Sequence, residues 1–444
     1  MAKTTYLRYD KHKIPVEVPD HAEILHSRGC SPLPQPLEAV RDALASPIGC
    51  PPLAALIQAR KPSKVVITIS DITRPVPNRV LVPALLEVLE TCGIGREKVT
   101  ILIATGMHRP STQQEKIELL GEEIVGSVRV VDHRSEQRDE LTRLPRATRF
   151  GTYAWINRLY SEADFRIVTG FIEPHFMAGF SGGRKGVCPG IVNVETVQKF
   201  HGFEFLDSPA ATNFSLEGNP LHQEATDVAE IAGIDFLLNV GLTEDKQIAG
   251  VFAGDWRKAF EVGAAKVREW TAAPCAERKD VVITCGGGYP LDKTLYQSGK
   301  GMCSALPVVK EGGVVICASA CSEGLGSPSF TRIMREWGER WEEFLDWIRT
   351  NPEVIHDQWG FQMHCKVLQR VGVENLRFAC GGIPSEELSR MSLTPLYEPK
   401  PGVEELEGIR QAIQAQVDRL ADQTMAVIPE GPYVVPVVME EGAA

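Results

Sequence analysis

No apolar run in this chain of 444 residues approaches the ~20 needed to cross a bilayer. The opening MAKTTYLRYDKHK lacks the apolar core of a secretion signal, so a cytoplasmic protein with no membrane partner is expected. Positive charge is also in short supply. The 47 Lys and Arg against 58 Asp and Glu leave a net charge of −11, which argues against a nucleic-acid partner and for a small-molecule one. The eleven cysteines, scattered from Cys30 to Cys380, contain no C-x-x-C pair. That excludes a disulfide framework and a cysteine zinc site, and most are expected as buried thiols. No short-period repeat or low-complexity stretch is present. What remains, 43% hydrophobic and 24% charged residues, is a globular chain long enough for two or three domains.

Short β-branched runs alternate with helical patterns. Lys64–Ser70 reads as a strand, 79–92 as a helix and Val99–Ala104 as the next strand; Val128–Val131, Phe165–Val168 and Phe236–Val240 continue the series. Helices are expected at 221–232 and 256–270. Such alternation implies mostly parallel sheets covered on both faces. The polar connector TAAPCAERKD follows Trp270, and a second series opens with Asp280–Thr284 and runs through 313–318, a Trp-rich helical segment at 330–348 and a strand near 376–379. The expected architecture is therefore two α/β domains, 1–270 and 277–395, with an active-site cleft between them. A C-terminal helix and tail at 396–444, helical over 403–425, is expected to return to the N-terminal domain.

Open parallel sheets bind ligands beyond the carboxyl ends of their strands, and polar residues collect there. The first strand ends in Asp71, Thr73 and Arg74, stiffened by Pro75 and Pro77, and an arginine in a rigid turn suits a carboxylate or phosphate. The second ends in TGMHRPST, with His108 and a helix cap at Ser111 or Thr112. The third leads into GFIEPHFMAGFSGGRKGVCPG, residues 170–190, which sets His175 and Lys185 in a loop rich in glycine. Neither the P-loop pattern nor G-x-G-x-x-G fits it. Its backbone N–H groups suggest an anion cradle, and an ordinary glycine-rich turn with a solvated Arg184–Lys185 pair is the plainer reading. A helix with an Asn193 cap follows and carries His201 at its far end. In the second series, Tyr296, Gln297 and Lys300 lie within about one helical turn.

These residues leave several chemistries open. His108, His175 and His201 invite a zinc-type hydrolase, although none sits in an H-x-x-x-H or H-E-x-x-H arrangement. Lys185 beside a phosphate cradle invites a tethered cofactor such as pyridoxal phosphate. A non-catalytic small-anion-binding protein would need only the cleft.

Taken in order, DITRP at 71–75, TGMHR at 105–109, EPHFMAGFSGGRKG at 173–186, His201, YQSGKGM at 296–302 and QWG at 358–360 resemble the nickel-dependent lactate racemase family over nearly the whole chain. The resemblance implies a racemase or epimerase of 2-hydroxy acids. It implies a nickel pincer nucleotide, a pyridinium mononucleotide with sulfur-bearing arms, joined to Lys185 as a thioamide and made and loaded with nickel by separate enzymes. His201 matches the nickel ligand, and His108 and His175 the acid/base pair. Asp71, Thr73, Gly182, Gly183 and Arg184 fall with Lys185 around the cofactor; Arg74, Tyr296, Gln297, Lys300 and Trp359 fall at substrate positions.

Overall fold

The computed structural model describes residues 2–351 and 353–439. The chain divides into a unit of Gly29–Trp270 and a unit that joins the segment up to Arg28 with the segment from Thr271 onward. Among the described residues, no helix is long and apolar enough to cross a membrane.

The Gly29–Trp270 unit is built on a six-stranded sheet. Its order is Ile248–Gly254, Phe236–Leu242, Phe165–Phe171, Val65–Ser70, Val99–Ala104 and Arg129–Asp132. All neighbours are parallel except the outer pair Phe236–Leu242 and Ile248–Gly254. From Val65–Ser70 the chain winds outward through two strands, then returns to place Phe165–Phe171 on the other side. That reversal is the switch point at which doubly wound sheets hold ligands, and Asp71–Arg74 and the His175–Lys185 loop follow its two strands. Covering both faces explains the near-continuous apolar runs. On one face Ile67, Ile69, Ile101, Ile103 and Leu238 pack against Val40, Leu44, Leu81 and Leu85 of the helices Pro36–Ala45 and Asn78–Thr91. On the other, the turn Gly183–Gly186 lies so close that a Cβ on Gly186 would stand 2.5 Å from the Val168 side chain. Only glycine brings the Lys185 turn down onto the sheet.

The other unit carries an all-parallel sheet in the order Thr394–Pro395, Leu376–Ala379, Val309–Ala318, Lys279–Cys285, Met425–Val427 and Glu23–Ile24. Residues 2–28, expected with the N-terminal domain, thus belong here. Glu23–Ile24 pairs with Met425–Val427, and the hairpin Lys3–Tyr9 and His12–Val18 buries Leu7, Ile14, Val16 and Val18 with Ile283, Ile409, Ile413 and Val417. The C-terminal helix differs from expectation for the same reason. It spans Glu405–Arg419, packs within this unit on the hairpin, and gives way to the buried strand Met425–Val427. Residues 440–444 of the expected tail lie outside the described residues. The Trp-rich segment is also not one helix. It breaks between Pro328–Trp337 and Trp341–Thr350 at Gly338, where a Cβ would stand 2.4 Å from the Arg390 carbonyl oxygen.

Candidate active site

The chain past Val65–Ser70 turns back on itself around Asp71. Its Oδ1 accepts from the Thr73 hydroxyl at 2.5 Å and the Thr73 N–H at 3.2 Å, while Oδ2 lies 2.6 Å from Nδ1 of His108. Thr73 is therefore a buttress for Asp71. Burial works against the charge of the Asp71 carboxyl, yet the bonds from His108 and Thr73 hold it below the ordinary carboxylate range. An ionised Asp71 fixes the His108 proton on Nδ1 and leaves the lone pair on Nε2, the form of a general base. Arg74 is exposed, with Nη1 donating at 3.3 Å to the Thr73 carbonyl and hydroxyl oxygens. Thr112 caps the helix after His108, Gln113–Leu120, in a reciprocal box with Glu115.

His175 stands on a two-residue ladder, Pro174–His175 against Gly179–Phe180. Its Nδ1 accepts from the N–H groups of Met177 and Ala178, both at 3.2 Å. That places the neutral ring's proton on Nε2, the opposite tautomer to His108. The expected anion cradle is not what the loop backbone forms. The N–H groups of Gly183, Lys185, Val187, Cys188 and Gly190 are spent on protein acceptors, the first on Asn239 Oδ1 at 2.7 Å. Nor is Arg184 solvated. It is fully buried, donates to the carbonyls of Ala178 and Gly182, and stacks on Phe260 with 4.5 Å to the ring centre. Gly183, at φ +55°, sits against that ring, where a Cβ would come within 2.6 Å.

Lys185 turns the other way. Its Nζ lies 5.8 Å from the centre of the Phe200 ring, which meets the His201 ring edge-on at 4.9 Å, so lysine and histidine flank one buried phenyl group. Among the described residues no carboxylate lies within ion-pair distance of Lys185. Burial first, then the guanidiniums of Arg184 and Arg74, push its amine down to about 7. His201 caps the helix Val194–Phe200, with Nδ1 2.8 Å from the Val197 carbonyl. A carbonyl can only accept, so Nδ1 carries the proton and Nε2 the lone pair. That is the state in which imidazole ligates a metal. Asn193 sits at the cap position, but its side-chain oxygen accepts from Trp155 N–H and the Thr196 hydroxyl.

In the other unit, Tyr296, Gln297 and Lys300 share the less buried face of the helix Leu295–Cys303, whose Leu295, Ser298 and Met302 point into the core. Tyr296 accepts a 2.9 Å bond from the indole N–H of Trp359. The Gln297 Oε1 is buried without a hydrogen-bond partner among the described residues, an acceptor left open for a ligand donor.

Two asparagines escape a motif-based reading. Asn239 is fully buried in the strand Phe236–Leu242 and ties down Gly183; Asn219, also fully buried, donates to the Met177 and Ser215 carbonyls and caps the helix Pro220–Ala232. For Asn239 the signal is an amide in the middle of FLLNVGL. Among the described residues no three His, Cys, Asp or Glu side chains converge to hold a metal, so the three histidines do not form the zinc centre considered above.

Switch-point placement, an Asp–His pair and a lysine held partly neutral define an α/β enzyme. Residues 9–213 match the lactate racemase N-terminal domain and 275–436 the lactate racemase C-terminal domain. The chain is 39% identical over 333 residues to a lactate racemase of Lactiplantibacillus plantarum, covering 74% of this chain and 77% of that one. To a lactate racemase of Thermoanaerobacterium thermosaccharolyticum it is 38% identical over 366 residues, covering 81% and 84%. The structure of the lactate racemase apoprotein from T. thermosaccharolyticum matches with a TM-score of 0.86 at 33% identity, over 98% of this chain and 100% of that chain. This chain belongs to the lactate racemase family, and is a homologue of isomerases. The family's typical cofactor is a nickel pincer nucleotide, and the donor set fits one: a partly neutral amine for the tether and an imidazole with its lone pair at Nε2 for the metal.

Proposed function

We propose that the protein racemises or epimerises lactate-like 2-hydroxy acids by proton-coupled hydride transfer, with a nickel pincer nucleotide held covalently by Lys185 and through nickel by His201. The observation that carries this is the pairing of a lysine of depressed basicity with a lone-pair histidine across Phe200. Asp71, Thr73, Gly182 and Gly183 frame the cofactor, and Arg184 braces the turn from inside. When bound, the cofactor supplies a reversible hydride acceptor, chemistry that no side chain offers.

The chain's own residues move the proton and hold the substrate. His108 begins as the base, its Nε2 taking the hydroxyl proton while Asp71 stabilises the imidazolium. His175 begins as an N–H donor at Nε2, and can take a proton in its turn only by giving up its two long bonds from Met177 and Ala178. Arg74, with its planar fork, and Lys300 anchor the substrate carboxylate, and Gln297, Tyr296 and Trp359 complete the contacts. Anchoring the carboxylate lets the planar keto acid turn over without leaving, and exclusion of water protects it. Separate enzymes make the cofactor and insert nickel.

The test is a panel of chiral 2-hydroxy acids, aliphatic, dicarboxylic, aromatic and sugar-derived, followed by loss of optical activity with loaded protein. The Lys185 peptide should carry a covalent mass increment. Active, nickel-containing protein with an unmodified Lys185 peptide overturns the tether.

A further inference from the structure

Trp359, given above to the substrate, has a neighbour that the racemase reading leaves without a task. The helix Gln358–Val371 starts hard against the helix Leu295–Cys303: a Cβ on Gly360 would stand 2.7 Å from the Tyr296 ring. That close approach lets the Trp359 indole N–H reach the Tyr296 hydroxyl, while the Tyr296 ring meets Phe330 edge-on at 5.0 Å. His356, just ahead of the helix, meets the Trp359 ring edge-on at 5.4 Å. Its side chain is 54% exposed.

The imidazole is held in one orientation by a left-handed turn. Asp357 has φ +70°, a region that a residue with a Cβ seldom adopts and that clusters at functional positions. Its carboxylate is buried, accepts from the Ser327 hydroxyl, and places Oδ2 3.2 Å from His356 Nδ1. The His356 carbonyl accepts from the Ser329 hydroxyl at 2.6 Å, and Ile355 N–H donates to Gln358 Oε1 at 2.7 Å. A carboxylate only accepts, so Nδ1 carries the proton and Nε2, on the far side of an exposed ring, presents a lone pair.

The order of residues along this surface indicates what Nε2 meets. Lys300, the carboxylate anchor, lies one helical turn past Tyr296 and Gln297; Trp359 hangs on Tyr296, and His356 lies beyond Trp359. A 2-hydroxy acid anchored at Lys300 therefore brings the far carbons of a longer chain to His356, and not C3. A lone pair takes a hydroxyl as donor and disfavours a carboxylate, which has no proton to give.

We propose that His356 is a specificity residue whose Nε2 accepts a hydrogen bond from a distal hydroxyl of the substrate, so that polyhydroxy 2-hydroxy acids are favoured over apolar or dicarboxylic ones of equal length. The anchor at Lys300 rests on the racemase reading; the imidazole, its buried carboxylate and its packing on Trp359 do not.

Three six-carbon acids separate the outcomes: gluconate, with hydroxyls along the chain; 2-hydroxyhexanoate, with none beyond C2; and 2-hydroxyadipate, with a second carboxylate. In protein loaded with cofactor, His356→Ala should cut the kcat/KM preference for gluconate over 2-hydroxyhexanoate by roughly three- to tenfold, the effect of one hydrogen bond, and His356→Gln, which keeps an acceptor, should cut it less. Asp357→Asn keeps a residue suited to the left-handed turn but can offer an N–H to His356 Nδ1; with the ring proton moved to Nε2, 2-hydroxyadipate should gain on gluconate. A purely structural turn would change all three acids alike. Binding is read separately with diethyl pyrocarbonate, which acylates the imidazole lone pair: gluconate should slow modification of the His356 peptide, and 2-hydroxyhexanoate should slow it less. Such protection in a protein that racemises none of the three acids would refute the racemase reading and uphold this site. An unchanged preference in His356→Ala, or equal protection by gluconate and 2-hydroxyhexanoate, overturns the proposal.

Discussion

In protein without cofactor, Lys185 should react with an acylating reagent in a way that sets it apart from the chain's other lysines. Its amine is pushed down to about 7, by burial first and then by Arg184 and Arg74, whereas an ordinary lysine titrates near ~10.4. At neutral pH about half the Lys185 amines are therefore uncharged, against roughly one in 2500 for a surface lysine. The advantage in reactive form is about a thousandfold. A less basic amine is a poorer nucleophile; with the slope found for thiols, about 0.4–0.5, some thirtyfold of that is lost. An advantage of roughly thirtyfold is left for equal access. Access lowers the rate but not the pH at which it reaches half its limit, so the midpoint is the quantity to measure. Competitive trace labelling with acetic anhydride, resolved peptide by peptide from neutral to alkaline pH, should give a midpoint for Lys185 at about 7. Arg184→Gln should raise that midpoint, and Arg184→Lys, which keeps the charge, should raise it less. A Lys185 midpoint in the ordinary lysine range near ~10.4 would refute the reasoning.

The same depressed amine sets a pH dependence of stability. Between about 7 and ~10.4 the unfolded chain binds the extra proton, so the apoprotein should gain stability as pH rises through that window, and Lys185→Met should flatten the slope in thermal melts. Asp71→Asn, which removes the charge that orients His108, should lower the racemisation rate by about 10²–10⁴ while nickel content is kept; an unchanged rate would leave Asp71 a turn-former only. His201→Ala should lose nickel by elemental analysis where His108→Ala and His175→Ala retain it, and equal retention in all three would undo the division of roles. Arg74→Lys should slow turnover despite the conserved charge, and Lys300→Ala should raise KM for every 2-hydroxy acid tested rather than for one, since the carboxylate is what they share.

How much of this is legible in the sequence depends on whether a residue's task leaves a local trace. Strands covered on both faces leave apolar β-branched runs such as KVVITIS and VTILIA, so the sheets and their strand-end residues can be read. The switch point follows from strand order, which needs the fold. The hairpin of TTYLRY and HKIPVEV shows its alternation openly, but nothing local says that its apolar face belongs on Ile409 and Ile413. Arg184 reads as Lys185's companion because the two are adjacent; in the turn their side chains part, one bonded to the Ala178 carbonyl and the other beside Phe200. Asn239 and Asn219 do their work by holding backbone, a role with no motif of its own.

The way the amino-terminal segment completes the sheet of the other unit also has a consequence in time. As the chain leaves the ribosome, Lys3–Val18 and Glu23–Ile24 emerge long before Glu405–Arg419 and Met425–Val427. At about 5–20 residues per second, the first strands wait roughly 20–80 s for their partners. In that interval the whole Gly29–Trp270 unit is made, and can fold as a loop between two unjoined halves. A lone two-stranded hairpin is at best marginal in water, so Leu7, Ile14, Val16 and Val18 spend the wait as exposed apolar surface. The nascent protein is thus most in need of shielding on the segment that waits for its partners.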